Sequence, residues 1–182
     1  MYKTRQLTLC ALFAALTAAG ALIRIPVGYA VFTLQFFFTA LAGILLGAKW
    51  GAISQLLYVA LGFAGLPLFG SGGGISYFLQ PTCGFVLALP AAAWIIGRLC
   101  SPLHSRRRIL FAGHAGLLAL YAIGFIYLVA VVRLYLRLDT PIGTLAALYL
   151  LPYYRSDCGK LFLCALLAQR LSHNQILFRK NS

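Results

Sequence analysis

The sequence predicts an all-α membrane protein, six transmembrane helices in one compact bundle, and three observations carry that prediction. Hydrophobic residues make up 62% of the 182 positions, charged residues 9%, and the mean hydropathy is +0.92. A soluble domain usually carries about a quarter charged residues. Apolar runs recur along the chain at or near the roughly 17–25 residues that a helix needs to cross a bilayer. The basic residues fall between those runs, and unequally on the two sides. A chain of this length cannot hide so much apolar surface in a core of its own, so lipid must be the solvent for most of it.

The first span is centred in Leu7–Ile23 and follows Lys3 and Arg5. With Ala19-Gly20-Ala21 it has the outline of a cleavable signal peptide. Cleavage would leave five spans and remove a helix that the bundle needs, so we read it as retained. Ala11, Ala15 and Ala19 recur every four residues and share one helix face. Such a strip lets another helix approach closely in lipid. Packing within its own bundle and docking of a separate protein both remain open at this point.

Arg24–Thr33, "RIPVGYAVFT", carries Pro26, Gly28 and β-branched residues and reads as extended. The second span, Phe32–Leu46, and the third, Ala52–Leu66, are joined by "GAKWG", about as short as a helical hairpin allows. A long, nearly uncharged loop, Leu66–Gly84, leads to the fourth span, Gly84–Gly97. The basic "SPLHSRRR" loop precedes the fifth, Ile109–Val132. Arg133–Ser156 reads as an irregular connection to the sixth, Cys158–Leu171. Long loops without structure of their own are usually functional. Residues 1–182 therefore form a single integral membrane domain.

In this arrangement one side holds Lys3, Arg5, Lys49, Arg98, Arg106, Arg107, Arg108, Arg170, Arg179 and Lys180. The other holds Arg24, Arg133, Arg137, Arg155 and Lys160. Ten against five is a positive-inside bias, which puts both termini in the cytoplasm and the three irregular loops outside. A basic face lying on anionic lipid accounts for most of the net charge of +13. Nucleic-acid binding is excluded, because the basic residues flank spans and do not track an aromatic groove.

Most enzymatic chemistry is missing. Cys10, Cys83, Cys100, Cys158 and Cys164 form no C-x-x-C pair, and His104, His114 and His173 show no ligand spacing. The cysteines read as small buried hydrophobes, and we expect neither a metal nor a cofactor. The "GSGGGISYF" stretch lacks the lysine of a phosphate-binding loop and the G-x-S-x-G of a serine nucleophile. Gly72, Gly73 and Gly74 instead supply flexibility beside Tyr77, Phe78, Gln80 and Thr82. The stretch reads as a lid able to close over a small molecule.

Only Asp139 and Asp157 are acidic, and there is no glutamate. Asp139 sits beside Thr140 and Pro141, where a turn role fits. Asp157 and Lys160, three apart, share a face at what reads as the start of the last helix. There Asp157 could serve as an N-cap. Charge near lipid is costly, however, and a chain that avoids carboxylates has no habit of spending them on solubility. The pair could instead hold the edge of a urea- or amide-like ring while aromatic side chains cover its apolar body.

These stretches resemble the BioY family, the biotin-capturing S components of energy-coupling factor (ECF) transporters. The resemblance lies in "RIPVGYAVFTLQFFFTALAGILLGAKWG", "LYVALGFAGLPLFGSGGGISYFLQPTCGFVLALPAA", "LPYYRSDCGKLFLCALLA" and the alanine strip. The family more often has glycine where Ser156 and Cys83 stand. The resemblance implies a prokaryotic inner-membrane protein that is not itself an enzyme. It would capture biotin outside and be energised by a transmembrane coupling protein and two ATPases docking on Ala11, Ala15 and Ala19. It also implies that Asp157 and Lys160 meet the ureido ring of biotin, and that Gly72, Gly73, Gly74, Tyr77, Gln80 and Thr82 form the lid. Gln35 and Tyr121 would stand at the pocket wall. Arg24, Arg155 and Lys160 are the candidates for the valerate carboxylate. The same bundle could serve thiamine or riboflavin instead. A stand-alone secondary transporter would show internal repeats and carboxylates within its spans, and neither is visible.

Overall fold

The computed structural model describes residues 2–27, 30–70, 72–100 and 105–173. Ser71, residues 101–104 of the basic loop, and Arg179 and Lys180 of the basic count lie outside the described residues. Four helical stretches, Lys3–Leu22, Gln35–Phe63, Cys83–Cys100 and Arg106–Tyr135, are long and apolar enough to cross a membrane.

Helix α1 (Tyr2–Leu22) leads into a hairpin of β1 (Arg24–Val27) and β2 (Ala30–Thr33), with Arg24 paired to Thr33 and Ile25 to Phe32. The segment expected to be extended is thus a two-stranded ribbon, a departure from an all-α chain. Helix α2 (Gln35–Phe63) is broken at Gly47, where φ is 78° and ψ 179°. A Cβ on Gly51 would sit 2.9 Å from the Gly43 Cα. On a continuous helix, residues eight apart would be about 12 Å apart. The chain therefore doubles back at Gly47, and the hairpin read from "GAKWG" is present as two antiparallel arms, 35–46 and 48–63.

The two arms and α1 are tied by polar side chains buried among them. The Gln55 amide donates to Thr17 Oγ1 at 3.1 Å and to Ser54 Oγ at 3.2 Å, while Thr39 Oγ1 donates to Gln55 Oε1 at 2.9 Å. All four residues are fully buried. In lipid, where apolar contact gives helices little reason to associate, such bonds fix register.

After a 3₁₀ turn at Ile75–Leu79 the chain enters α3 (Cys83–Leu87) and α4 (Leu89–Cys100), one rod with a weak joint. Pro90 lies at that joint and offers no N–H to the preceding turn. Close approach of this rod to α2 depends on Gly97, where a Cβ would come within 2.3 Å of the Ala48 backbone. Helix α5 (Arg106–Ala130) starts at a Ser105 cap that accepts the Arg108 N–H, and ends in a π turn, Val131–Tyr135.

The next segment corrects the sequence reading. Residues 133–156 are not an irregular loop, because they contain α6 (Ile142–Tyr149) and the first turns of α7 (Leu151–His173). Pro141 precedes α6, and Pro152 stands in the first turn of α7, where a missing N–H costs nothing. Asp157 is consequently inside α7 and cannot cap it.

Candidate functional site

The basic residues at one end of the bundle lie near the Gly47 turn and the α4–α5 junction. At the other end the β hairpin, the 65–82 loop, α6 and the start of α7 surround a cavity of about 350 Å³. That volume falls within the range of small-molecule sites. Its apolar wall is built by Phe36, Phe85, Val86, Leu89 and Leu120. Its polar groups are Arg24, Thr33, Gln35, Thr82, Asp157 and Lys160, and Tyr77, Tyr121, Tyr149 and Tyr153 combine both characters.

Asp157 is 8% exposed. Lys160 Nζ donates to its Oδ1 at 2.5 Å, one helical turn on, and the Tyr121 hydroxyl donates to its Oδ2 at 2.8 Å. The Lys160 ammonium also lies 5.9 Å from the centre of the Phe32 ring on β2. Phe32 in turn meets Tyr153 edge-on, with centroids 5.6 Å apart. Hairpin and α7 are thus joined by a cation–π contact and an aromatic one.

This geometry leaves capacity for a ligand. A carboxylate has about four lone-pair positions and an ammonium three donors. With one neighbour on each oxygen, Asp157 can still accept N–H donors, and Lys160 retains donors for a carbonyl or carboxylate.

Of the residues anticipated, Asp157, Lys160, Gln35, Tyr77, Thr82 and Tyr121 line the cavity together. Gly72, Gly73, Gly74 and Gln80 do not. The Gly74 N–H donates to the Gly62 carbonyl at 2.8 Å, and a Cβ on Gly73 would lie 2.0 Å from the Leu66 carbonyl oxygen. Gly72 and Gly74 have φ of 123° and 91°. These glycines therefore let the loop fold tightly back on the end of α2. There it drives Phe69 into the core, in ring contact with Tyr58, Phe63 and Tyr77. Gly70, which was not anticipated, reaches the cavity, and Gln80 is exposed.

The 3₁₀ turn is fastened on its outer side. Phe78 stacks on Phe63 with centroids 4.2 Å apart, and Tyr127 donates to the Phe78 carbonyl at 2.5 Å. Of the three cations considered for a ligand carboxylate, Arg24 and Lys160 line the cavity and Arg155 does not. Tyr149, Tyr153 and the apolar wall of Phe36, Phe85, Val86, Leu89 and Leu120 carry no mark in the sequence. Pocket-facing and lipid-facing apolar residues look alike in a chain this hydrophobic.

The BioY family model matches residues 1–175. The chain belongs to the BioY family. It is 39% identical over 93% of its length to a probable biotin transporter BioY of Lysinibacillus sphaericus, covering 87% of that protein. It is 36% identical to the biotin transporter BioY of Thermotoga maritima, over 94% of this chain and 98% of the relative. Among solved structures it resembles the S component for biotin from an ECF-type ABC transporter. The TM-score is 0.78 at 28% identity, covering 98% of this chain and 97% of that one. The BioY relationship thus spans almost the whole sequence, site included.

Proposed function

We propose that this protein captures biotin as the S component of an ECF transporter, with residues 1–182 acting as one membrane domain. The observation that carries the reading is the Asp157–Lys160 pair inside a mainly apolar cavity, in a chain of the BioY family. An acceptor and a donor side by side suit the N–H and C=O edge of a cyclic urea, while Phe36, Phe85 and the tyrosines suit its hydrocarbon. Arg24, at the hairpin, is the proposed partner of the valerate carboxylate.

The two arms of α2 and the crossing by α7 bring the spans to six. With the basic end in the cytoplasm, as the positive-inside bias favours, both termini are cytoplasmic and the cavity opens outside, in the inner membrane of a prokaryote. No group in the cavity supplies energy for transport. A coupling protein and two ATPases are the proposed partners, and the bundle itself is not an enzyme.

Biotin binding to purified wild-type protein and to Asp157→Asn tests the reading, with thiamine and riboflavin as controls. Saturable binding of biotin alone, weakened at least tenfold in the variant, is the expected result. A folded wild-type protein that prefers thiamine or riboflavin would overturn it. Unchanged biotin binding by the variant would move the site away from Asp157.

A further inference from the structure

We infer that Tyr121 is a positioning residue that acts through Asp157, presenting the carboxylate to the ligand without meeting the ligand through its own hydroxyl. The inference rests on the capture function proposed above and extends it beyond the charged pair.

Three observations lead there. The Tyr121 hydroxyl already has a partner, because it donates its one proton to Asp157 Oδ2 at 2.8 Å. Its ring cannot readily turn away. Phe85 meets it edge-on from α3 at 5.8 Å and 70°, and Tyr154 meets it from α7 at 5.8 Å and 68°. The Phe85 ring reaches that place because residue 124, one turn along α5, is glycine, where a Cβ would stand 2.2 Å from the ring.

The second donor also settles what Lys160 alone leaves open. A single bond from Lys160 to Oδ1 lets the carboxyl group rotate about that contact. A second bond, from another helix and to the other oxygen, removes that freedom and fixes which lone pairs face the cavity. Ordering done in advance does not have to be done by the ligand, so it appears as affinity.

The composition of the chain makes the hold directly observable. With two aspartates and no glutamate, side-chain ¹³C-carboxyl labelling of aspartate gives infrared bands from Asp139 and Asp157 only. The spectrum of Asp157→Asn then assigns which is which. In Tyr121→Phe, which keeps the ring contacts, we expect the Asp157 band to shift while the Asp139 band stays. Biotin affinity should fall roughly tenfold, the scale of one hydrogen bond to a charged group. Phe85→Leu, which keeps the hydroxyl but loosens the ring, should shift the same band less and in the same direction.

An unmoved Asp157 band in Tyr121→Phe would overturn the inference whatever happens to binding. Lost affinity with an unmoved band would show that Tyr121 meets biotin itself. Wild-type affinity with a shifted band would show that the hold does not serve binding. Failure of the wild type to bind biotin is a different result: it overturns the capture function, while the band still reports on the hold.

Discussion

Lys160 and Tyr121 divide the Asp157 carboxylate between them, and the two are not equivalent when removed. Without Lys160 the carboxylate stays inside the protein with its charge partner gone, since both side chains of the pair are nearly buried. Breaking one side of such a pair costs about 3–5 kcal/mol, whereas replacing both sides by neutral groups is often close to neutral. Lys160→Met should therefore lower the ligand-free unfolding temperature clearly. Asp157→Asn/Lys160→Met should restore most of that loss while still failing to hold biotin. Thermal unfolding in detergent checks both, and a double variant as unstable as the single one would mean that the pair itself stabilises the bundle. The pair was legible in the sequence because acids are so scarce there. Tyr121 was placed at the pocket wall, but its bond to Asp157 joins positions 36 residues apart and leaves no local pattern. The walls contributed by Phe85, Leu120, Tyr149 and Tyr153 left no sign either, because burial against a ligand and burial in lipid select the same residue types.

At the scale of elements, the helix boundaries read worst between Arg133 and Ser156, which the sequence presents as an irregular connection and the structure as α6 and the start of α7. Pro152 looked like part of a connection, yet the first helical turn is where proline fits best, and α7 starts six residues before Asp157. The Gly47 turn read well, because five residues can join two spans only by reversing sharply. Its glycine is required for conformation and not for space. No atom lies within 4 Å of where a Cβ would stand, but φ of 78° with ψ of 179° belongs to a region that is essentially glycine-only. Gly47→Ala should therefore destabilise by about 1–3 kcal/mol although nothing is overpacked. Gly159, on an open face of α7, provides the contrast. Gly159→Ala should be neutral or stabilising by up to about 1 kcal/mol, since alanine is the better helix former. Paired unfolding curves decide the matter: equal losses at both positions would mean that the Gly47 backbone relaxes in the variant.

The whole molecule sorts its work by face and by end. Thr17 of α1 and Thr39, Ser54 and Gln55 of α2 are fully buried, while Ala11, Ala15 and Ala19 of the same α1 are exposed. The alternative of packing within its own bundle, open from sequence, therefore does not account for the strip. Small residues on an outward face give lipid little to hold and let a foreign helix come close, which suits the proposed docking role. The strip also stands on the opposite side of α1 from Thr17, so a large side chain there would not disturb the bonds that hold α1 to α2. Ala15→Trp should accordingly leave biotin affinity and unfolding temperature near wild type. ATP-dependent biotin uptake should fall at least tenfold in cells that also make the coupling protein and ATPases. Measuring binding and uptake on the same variant separates the two functions. If uptake stayed normal with tryptophan in the middle of the strip, α1 would not be the docking face, and the coupling protein would have to engage another surface of the bundle.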